Sequence, residues 1–230
     1  MPQLPVLQRL FATPLLVDKI EDPQFIAALE EVILKRRAED PGIMRSNVGG
    51  GWHSDVRLVQ WGGEPAARLI QHVVGLVNSA TTENGIKDGP PLRWAIDAWA
   101  NVNEKGGANA RHIHGGCYWS AVYYVRVDEG SGGQLCLYDL RMPMLAMHAP
   151  RLRFKMPGGE REVRIKPVPG RLIVFPAWLA HEVEPSIGDG LRISIAINLS
   201  HPKQQVVGAL KRGGPDAKPA AIAELTKDQT

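Results

Sequence analysis

The stretch Gly170-Arg-Leu-Ile-Val-Phe-Pro-Ala-Trp-Leu-Ala-His-Glu-Val-Glu-Pro185 decides the predicted fold of the second half of the chain. Its first part, residues 171–175, is a short apolar run that is typical of a buried strand, and Pro176 ends that run. His181 follows the tight turn that the proline predicts. A histidine held at the rim of a strand is a candidate metal ligand, because imidazole is the commonest metal-binding side chain.

Apolar runs of the same kind recur before and after this stretch, separated by Gly and Pro. They cover residues 92–103, 117–127, 134–138, 162–166, 171–175 and 191–199. The first third of the chain instead contains two helical patterns, which begin at Asp22-Pro23 and Glu64-Pro65. Helices followed by serial strands predict a mainly β protein, an antiparallel barrel or sandwich with flanking helices packed on its outside.

The length of the chain suits one domain. A single all-β domain often exceeds 200 residues, and this chain has 230. We therefore predict one domain over residues 1–200, in which N-terminal helices pack on a β-barrel core at about 92–200. Residues 201–230 contain several Lys, Gly and Pro residues and are predicted to be a C-terminal tail.

Composition and charge exclude several classes of protein. Hydrophobic residues make up 44% and charged residues 22% of the sequence, as in a packed globular protein. The net charge of +3 is too small and scattered to predict binding to nucleic acid or to a membrane. Cys117 and Cys136 form no CxxC pattern and are expected to be reduced core residues. Since the sequence has no signal pattern and no long apolar run, we predict a cytoplasmic protein, and its oligomeric state, a homodimer included, is left open.

Two further histidines and an arginine accompany His181 in the predicted barrel. His112 and His114 lie two residues apart at the mouth of an apolar run, and alternate residues of a strand share one face. Arg192 opens a run eleven residues after His181 and is predicted to lie on the neighbouring strand, where its planar guanidinium can bind a carboxylate through two hydrogen bonds. Ser194 shares the strand face of Arg192. The set predicts a metal site with an anion anchor, since three protein ligands with open positions are typical of catalytic non-haem iron.

Taken in order, these motifs resemble those of the 2-oxoglutarate and iron(II)-dependent oxygenase superfamily, in particular its prolyl-hydroxylase-like branch of bacterial type. The matching pieces are His112-Ile-His114, Val122-Tyr-Tyr-Val125, Gly132-Gly-Gln-Leu-Cys-Leu137, Gly170-Arg-Leu-Ile-Val-Phe-Pro176, His181-Glu-Val-Glu-Pro185 and Arg192-Ile-Ser194. Together they cover roughly residues 92–200. The resemblance implies a double-stranded β-helix, which is a jelly-roll or cupin-like barrel.

The resemblance also implies what the site binds and what it does. The implied iron(II) ligands are His112, His114 and His181. The implied cosubstrate is 2-oxoglutarate, whose distal carboxylate Arg192 and Tyr124 would hold, with Ser194 as a weaker candidate. The implied activity is that of a dioxygenase that uses O2 to hydroxylate a C–H bond of a small-molecule or peptidyl substrate, with release of succinate and CO2.

One position departs from the pattern of the family. The first motif is normally His-x-Asp or His-x-Glu, whereas this chain has His114 at the third position. With His114 as a ligand, the site consists of three neutral histidines and is one charge unit more positive than usual. That difference can alter iron retention, redox behaviour or selectivity among divalent ions. Without His114, water or a carboxylate from elsewhere would fill the position.

Two other classes of function stay open at this point. A cupin-like metal enzyme would have the same barrel and histidines but would not use 2-oxoglutarate. A degenerate barrel would only present a ligand-binding surface. Arg192 argues against the cupin-like class, because an unpaired charge buried in an apolar strand is costly.

The substrate itself is not predicted by any motif. The segment 139–160, rich in Met and Pro, is expected to form a lid, and Trp178 is a candidate wall of the substrate pocket. Three arginines could bind an acidic substrate, although each is more often a solvated surface charge; they are Arg45, Arg57 and Arg141. The remaining histidines are expected to be surface or structural residues; they are His53, His72, His148 and His201.

Overall fold

The computed structural model describes residues 11–83, 89–140 and 159–201 as two antiparallel sheets with helices. The strands are β1 (Leu16–Lys19), β2 (Asn47–Val48), β3 (Trp52–His53), β4 (Ala95–Asn103), β5 (Ala108–His112), β6 (Trp119–Val127), β7 (Leu135–Tyr138), β8 (Glu162–Ile165), β9 (Arg171–Pro176), β10 (Ala180–Val183) and β11 (Arg192–Ser200). The helices are α1 (Pro23–Glu39), α2 (Leu58–Trp61) and α3 (Gly63–Ser79).

Helix α1 begins where the sequence predicts. The Asp22 carboxylate accepts hydrogen bonds from the backbone N–H groups of Gln24 and Phe25, each at 3.1 Å. Pro23 follows this cap in the first turn, where its missing N–H costs nothing. The Phe25 ring lies 6.1 Å from the ring of Tyr123 on β6. One apolar face of α1 therefore packs on the larger sheet.

Helix α3 supplies the second apolar face. Its apolar stripe is buried at Leu69, Ile70, Val73 and Val77, whereas Val74 is half-buried. These residues join the same core as the buried side of α1. The two main helices therefore cover one side of the barrel, as the order of helices and strands in the sequence predicts.

The larger sheet has six strands in the order β1-β9-β6-β11-β4-β3. β11 lies near its centre and pairs antiparallel with β4 on one side and β6 on the other. Alternate residues of β11 are buried in the core beneath the helices; they are Ile193, Ile195, Ile197 and Leu199. The residues between them face the second sheet, because successive side chains of a strand point to opposite faces.

The smaller sheet has five strands in the order β2-β5-β10-β7-β8. A second apolar cluster is made by residues from both sheets; its members are Tyr124, Leu135, Leu137, Ile173, Phe175 and Leu179. The two sheets thus enclose an interior between them. The predicted mainly β architecture with flanking helices is confirmed.

Short strands account for the differences from the predicted elements. β5 and β10 were not predicted, because segments such as Ala108–His112 have no apolar alternation, and pairing with each other holds them in the sheet. Cys136 is buried and Cys117 half-buried, and both are free thiols. No described helix is long and apolar enough to span a bilayer. Most of the predicted lid and nearly all of the predicted tail lie outside the described residues, and the single domain stays a prediction.

Candidate metal centre

Three histidines converge where two strands of the smaller sheet pair. His112 ends β5, and His181 of β10 lies directly opposite it in the antiparallel register. His114 lies two residues after His112, outside the strand. The possible ligand nitrogens of the three rings all lie within 4.8 Å of one another. No carboxylate of the described residues joins this cluster, so the group offers a metal ion three imidazoles.

Backbone carbonyls orient two of the rings. Nδ1 of His112 lies 2.6 Å from the Ala110 carbonyl oxygen, and Nδ1 of His181 lies 2.8 Å from that of Leu179. Because a carbonyl oxygen only accepts, Nδ1 of each ring is the donor, which leaves Nε2 as the nitrogen that can bind a metal ion. Both rings therefore have Nε2 available for a metal ion.

Burial favours the form of histidine that binds metal. Burial and the two neighbouring imidazoles lower the pKa of His114 to about 3. Burial also lowers the pKa of His181 to about 4, although the hydrogen bond to Leu179 acts in the opposite direction. Both rings are therefore neutral near pH 7, and neutral imidazole is the metal-binding form.

Arg192 lies on the interior face of β11 with 2% of its surface exposed. Its Nη1 donates to the carbonyl oxygens of Gly133 at 2.9 Å and Glu184 at 3.4 Å. Gly133 makes this position possible, since a Cβ there would lie 1.3 Å from Nη1. Among the described residues, no carboxylate pairs with the guanidinium. Burial lowers the pKa of Arg192, so the structure holds an arginine in an environment that lacks a counter-charge.

Tyr124 lies beside Ser194 in the register of β6 and β11, on the interior face of the sheet. Its hydroxyl is buried and has no hydrogen-bond partner among the described residues. Burial raises the pKa of Tyr124 to about 12, so the phenol stays protonated and can donate. Tyr123 points the other way and donates to the Ile20 carbonyl oxygen at 3.1 Å. Tyr124 therefore faces the interior, as its implied role in holding the distal carboxylate requires.

Comparison with known proteins finds a family model that matches the predicted barrel. A family model described as "Putative 2OG-Fe(II) oxygenase" matches residues 97–198, which include all three histidines and Arg192. Over these residues, which are less than half of the chain, the sequence is similar to the 2-oxoglutarate and iron(II)-dependent oxygenases. No curated protein matches the sequence of this oxygenase.

Solved oxygenase structures share the fold at low sequence identity. A prolyl hydroxylase from Trichoplax adhaerens, in complex with a hypoxia inducible factor peptide fragment, gives a TM-score of 0.59 at 16% identity, over 85% of this chain and 87% of that one. A Pseudomonas putida prolyl-4-hydroxylase gives 0.58 at 18% identity, over 83% and 94%. HygX from Streptomyces hygroscopicus, with nickel and 2-oxoglutarate bound, gives 0.55 at 14% identity, over 83% and 84%. The predicted double-stranded β-helix is confirmed.

Two adjoining cavities surround the histidines of the oxygenase. The inner cavity, of about 40 Å³, lies between the sheets and is lined by all three histidines and by Ser194. The outer cavity, of about 250 Å³, is lined by His112 and His114. Arg192 and Tyr124 lie beyond both linings, further along the interior face. Of the predicted anion-binding residues, only Ser194 lines a cavity together with the histidines.

Two details of the predicted site are wrong. The sequence places His112 and His114 at the mouth of the strand that becomes β6, but His112 ends the preceding strand, β5. The sequence also places Arg192 on the strand next to that of His181, whereas β10 and β11 belong to different sheets. The short spacing between His181 and Arg192 suggested neighbouring strands, but the segment between these two residues crosses from one sheet to the other.

His53 is a site residue that sequence reasoning missed. The ring is buried and stacks on Trp99, with centroids 5.3 Å apart and planes at 12°. It lines the outer cavity of the oxygenase. β3, which carries it, has two residues and pairs with β4, so no periodic pattern marks it. The sequence signal for this site lies on the partner strand: Trp99 and Asn101 alternate toward one face of β4, and His53 pairs with Asn101.

The other residues that the sequence offers as substrate contacts lie in different places, and only one of those that the structure describes lines a cavity. Arg57 forms a salt bridge of 2.7 Å with Asp55 and lines neither cavity. Trp178 is 47% exposed and also lines neither. Arg141 lies outside the described residues. Arg45 lines the outer cavity of the oxygenase.

Proposed function

We propose that this oxygenase hydroxylates a C–H bond, with iron(II) on His112, His114 and His181 and with 2-oxoglutarate anchored by Arg192. The observation that carries the proposal is a buried arginine without a carboxylate partner, in a barrel whose three histidines converge. A structural role alone does not account for both features, since an unpaired buried charge is costly.

The donor set fits iron(II). Imidazole nitrogens are suitable ligands for iron, and the low pKa values of His114 and His181 keep those two rings neutral at physiological pH. Three protein ligands leave further coordination positions open, as a bidentate cosubstrate and O2 require. The residues present therefore fit the metal that the family implies.

The interior face beyond the histidines carries hydrogen-bond donors suited to the distal carboxylate of 2-oxoglutarate. Arg192 uses Nη1 for two carbonyl oxygens, which leaves other guanidinium N–H groups for a ligand. The unpartnered Tyr124 hydroxyl is a second donor, and a buried unsatisfied group of this kind costs about 1–3 kcal/mol. A carboxylate between them would satisfy both groups. Ser194, on the same face, adds a hydroxyl on the side of the histidines.

Bound iron(II) and 2-oxoglutarate would supply the oxidising chemistry, in which O2 gives one oxygen atom to the substrate and one to succinate, with loss of CO2. The chain's own residues orient the cosubstrate and exclude water. Phe175 packs its ring 4.8 Å from the ring of His181, and Leu135 and Val122 add apolar walls to the inner cavity. Such walls strengthen the electrostatic interactions inside the site.

The proposal is tested first by anaerobic titration of the iron(II)-loaded protein with 2-oxoglutarate. We expect the weak visible charge-transfer band of a chelated 2-oxo acid, and succinate formation once O2 is admitted. His181→Ala should lose bound iron and the band. Arg93→Gln is the matched control, because Arg93 is exposed and lines neither cavity. Iron binding without the band would favour the cupin-like alternative, and no metal binding would favour a ligand-binding barrel.

The third ligand needs a separate test. If His114 holds the metal, His114→Ala should lower iron(II) affinity at least tenfold, whereas His114→Asp, which restores the usual carboxylate, should retain it. Isothermal titration under anaerobic conditions measures both affinities. Unchanged affinity in His114→Ala would remove His114 from the ligand set and leave the other two histidines in place.

A further inference from the structure

The outer cavity adjoins the histidines on the side away from Arg192. It has a volume of about 250 Å³, and His112 and His114 form part of its wall. Two charged residues also line it, Arg45 and Asp97. Drug-sized ligands occupy pockets of roughly 300–1,000 Å³, so this cavity suits a smaller molecule.

The two charges come from opposite sheets. Arg45 lies just before β2 of the smaller sheet, and Asp97 lies on β4 of the larger one. Neither forms an ion pair with the other or with any described residue. Other arginines near this region are paired, as Arg36 is with Asp40 at 2.7 Å. Both side chains are exposed to solvent, so the opening of the cavity presents one cation and one anion, from different sheets, that no described protein group neutralises.

The surface between the charges is aromatic and uncharged. His53 stacks on Trp99, and the Trp99 ring meets the His114 ring edge to face at 5.8 Å. Burial lowers the pKa of His53, and nearby Arg45 acts in the same direction, so this ring is neutral. An apolar part of a ligand can lie on this surface and extend toward the histidines.

We propose that the outer cavity binds a free α-amino acid as the substrate, its carboxylate against Arg45 and its ammonium group against Asp97. This inference rests on the proposed function, because it names the substrate class of the same site. An amino acid matches the cavity in size and in both charges. An internal residue of a peptide carries neither charge and would leave Arg45 and Asp97 without a partner.

Binding is measured on the nickel(II)-loaded protein with 2-oxoglutarate, a combination used here so that ligand binding is observed without turnover. Each of the protein L-amino acids is tested by saturation-transfer NMR, and the dissociation constant of the best ligand is measured by calorimetry. The same amino acid is then compared as its amide, which lacks the carboxylate, and as its N-acetyl form, which lacks the ammonium group. We expect each analogue to bind at least tenfold more weakly.

Two variants assign the charges. Arg45→Gln should weaken binding of the free amino acid and remove its advantage over the amide. Asp97→Asn should do the same for the N-acetyl form. Arg93→Gln, outside the cavity, should change neither ratio. Circular dichroism of each variant excludes loss of folding.

Two outcomes would overturn the inference. One is no binding by any free amino acid. The other is equal binding of the amide and N-acetyl forms, which would point to an uncharged or peptidyl ligand. The 2-oxoglutarate titration of the same samples reports separately on the proposed function, and amino-acid binding is measured whatever that titration shows.

Discussion

The two faces of β11 differ in almost every property. The face toward the helices is wholly apolar and fully buried; it consists of Ile193, Ile195, Ile197 and Leu199. The opposite face is mostly polar; it consists of Arg192, Ser194, Ala196, Asn198 and Ser200. Both faces belong to one strand of nine residues, so the contrast arises from side-chain alternation alone.

The interior face of the sheet carries buried polar atoms that cost stability. Unpartnered buried polar atoms occur on the interior face of the three adjacent central strands, at Tyr124, Asn101 and Asn103. Asn101 and Asn103 lie opposite Ser194 and Arg192 in the register with β4. The helix-facing side carries no such atoms among its described residues. Buried polar groups therefore lack hydrogen-bond partners on the face that is proposed to bind the cosubstrate, as is expected of a functional site.

The largest effect should come from the apolar face. Ile195→Ala removes a fully buried side chain and should lower the free energy of unfolding by about 2–5 kcal/mol. Urea denaturation measures this loss, and Ile195→Val should cost only about 0.5–1.5 kcal/mol. The affinity for 2-oxoglutarate of the folded protein should not change. A large loss of affinity in a stable Ile195→Ala protein would break the separation of the two faces.

Arg192→Met should have the opposite effects, a large loss of 2-oxoglutarate affinity and a smaller loss of stability. Removing one member of a buried charge pair costs about 2–5 kcal/mol, so 2-oxoglutarate affinity should fall roughly 30-fold or more. Stability should fall less than in Ile195→Ala, because the apo protein buries this charge without a carboxylate. Arg93→Met is the matched control, since Arg93 is exposed and lines neither cavity. Unchanged affinity in Arg192→Met would refute the anchor.

Tyr124→Phe should affect the stability of the free protein and its affinity for 2-oxoglutarate in different ways. Without ligand the hydroxyl has no partner, so its removal should leave the free energy of unfolding unchanged or raise it. With 2-oxoglutarate one hydrogen bond is lost, which should weaken binding by about 0.5–1.5 kcal/mol. Thermal unfolding with and without 2-oxoglutarate measures both. A destabilised apo protein would show that the hydroxyl has a structural partner.

Ser194→Ala should have the smallest effect. Its side chain lies on the interior face but carries no charge, so we expect at most about 1 kcal/mol of lost 2-oxoglutarate affinity and little change in stability. Calorimetric titration measures the affinity. A loss as large as that of Arg192→Met would mean that the serine is a principal anchor.

Much of this contrast could be predicted from the sequence. The alternation Arg-Ile-Ser-Ile-Ala-Ile-Asn marks both faces of β11 directly, and the spacing of His112, His114 and His181 predicts their convergence. Short-range pattern suffices for β11, whereas the convergence of the histidines follows from the predicted barrel, because β5 and β10 themselves carry no apolar pattern.

The outer cavity could not be predicted in the same way. Arg45 and His53 lie on or beside strands of two residues, which are held by pairing with β5 and β4. Such pairing depends on register between segments far apart in the chain, and no local pattern encodes it. The sequence therefore identifies candidate ligands for the metal but not the walls that face the substrate.

The central position of β11 also has a consequence for how the chain is made. β4 and β6 leave the ribosome well before β11, and until it arrives each has one unpaired edge, which invites aggregation. The strand that closes this gap is also the strand that carries Arg192. A nascent chain therefore cannot complete the larger sheet without acquiring its arginine, so that solubility and cosubstrate binding should appear in the same step of synthesis.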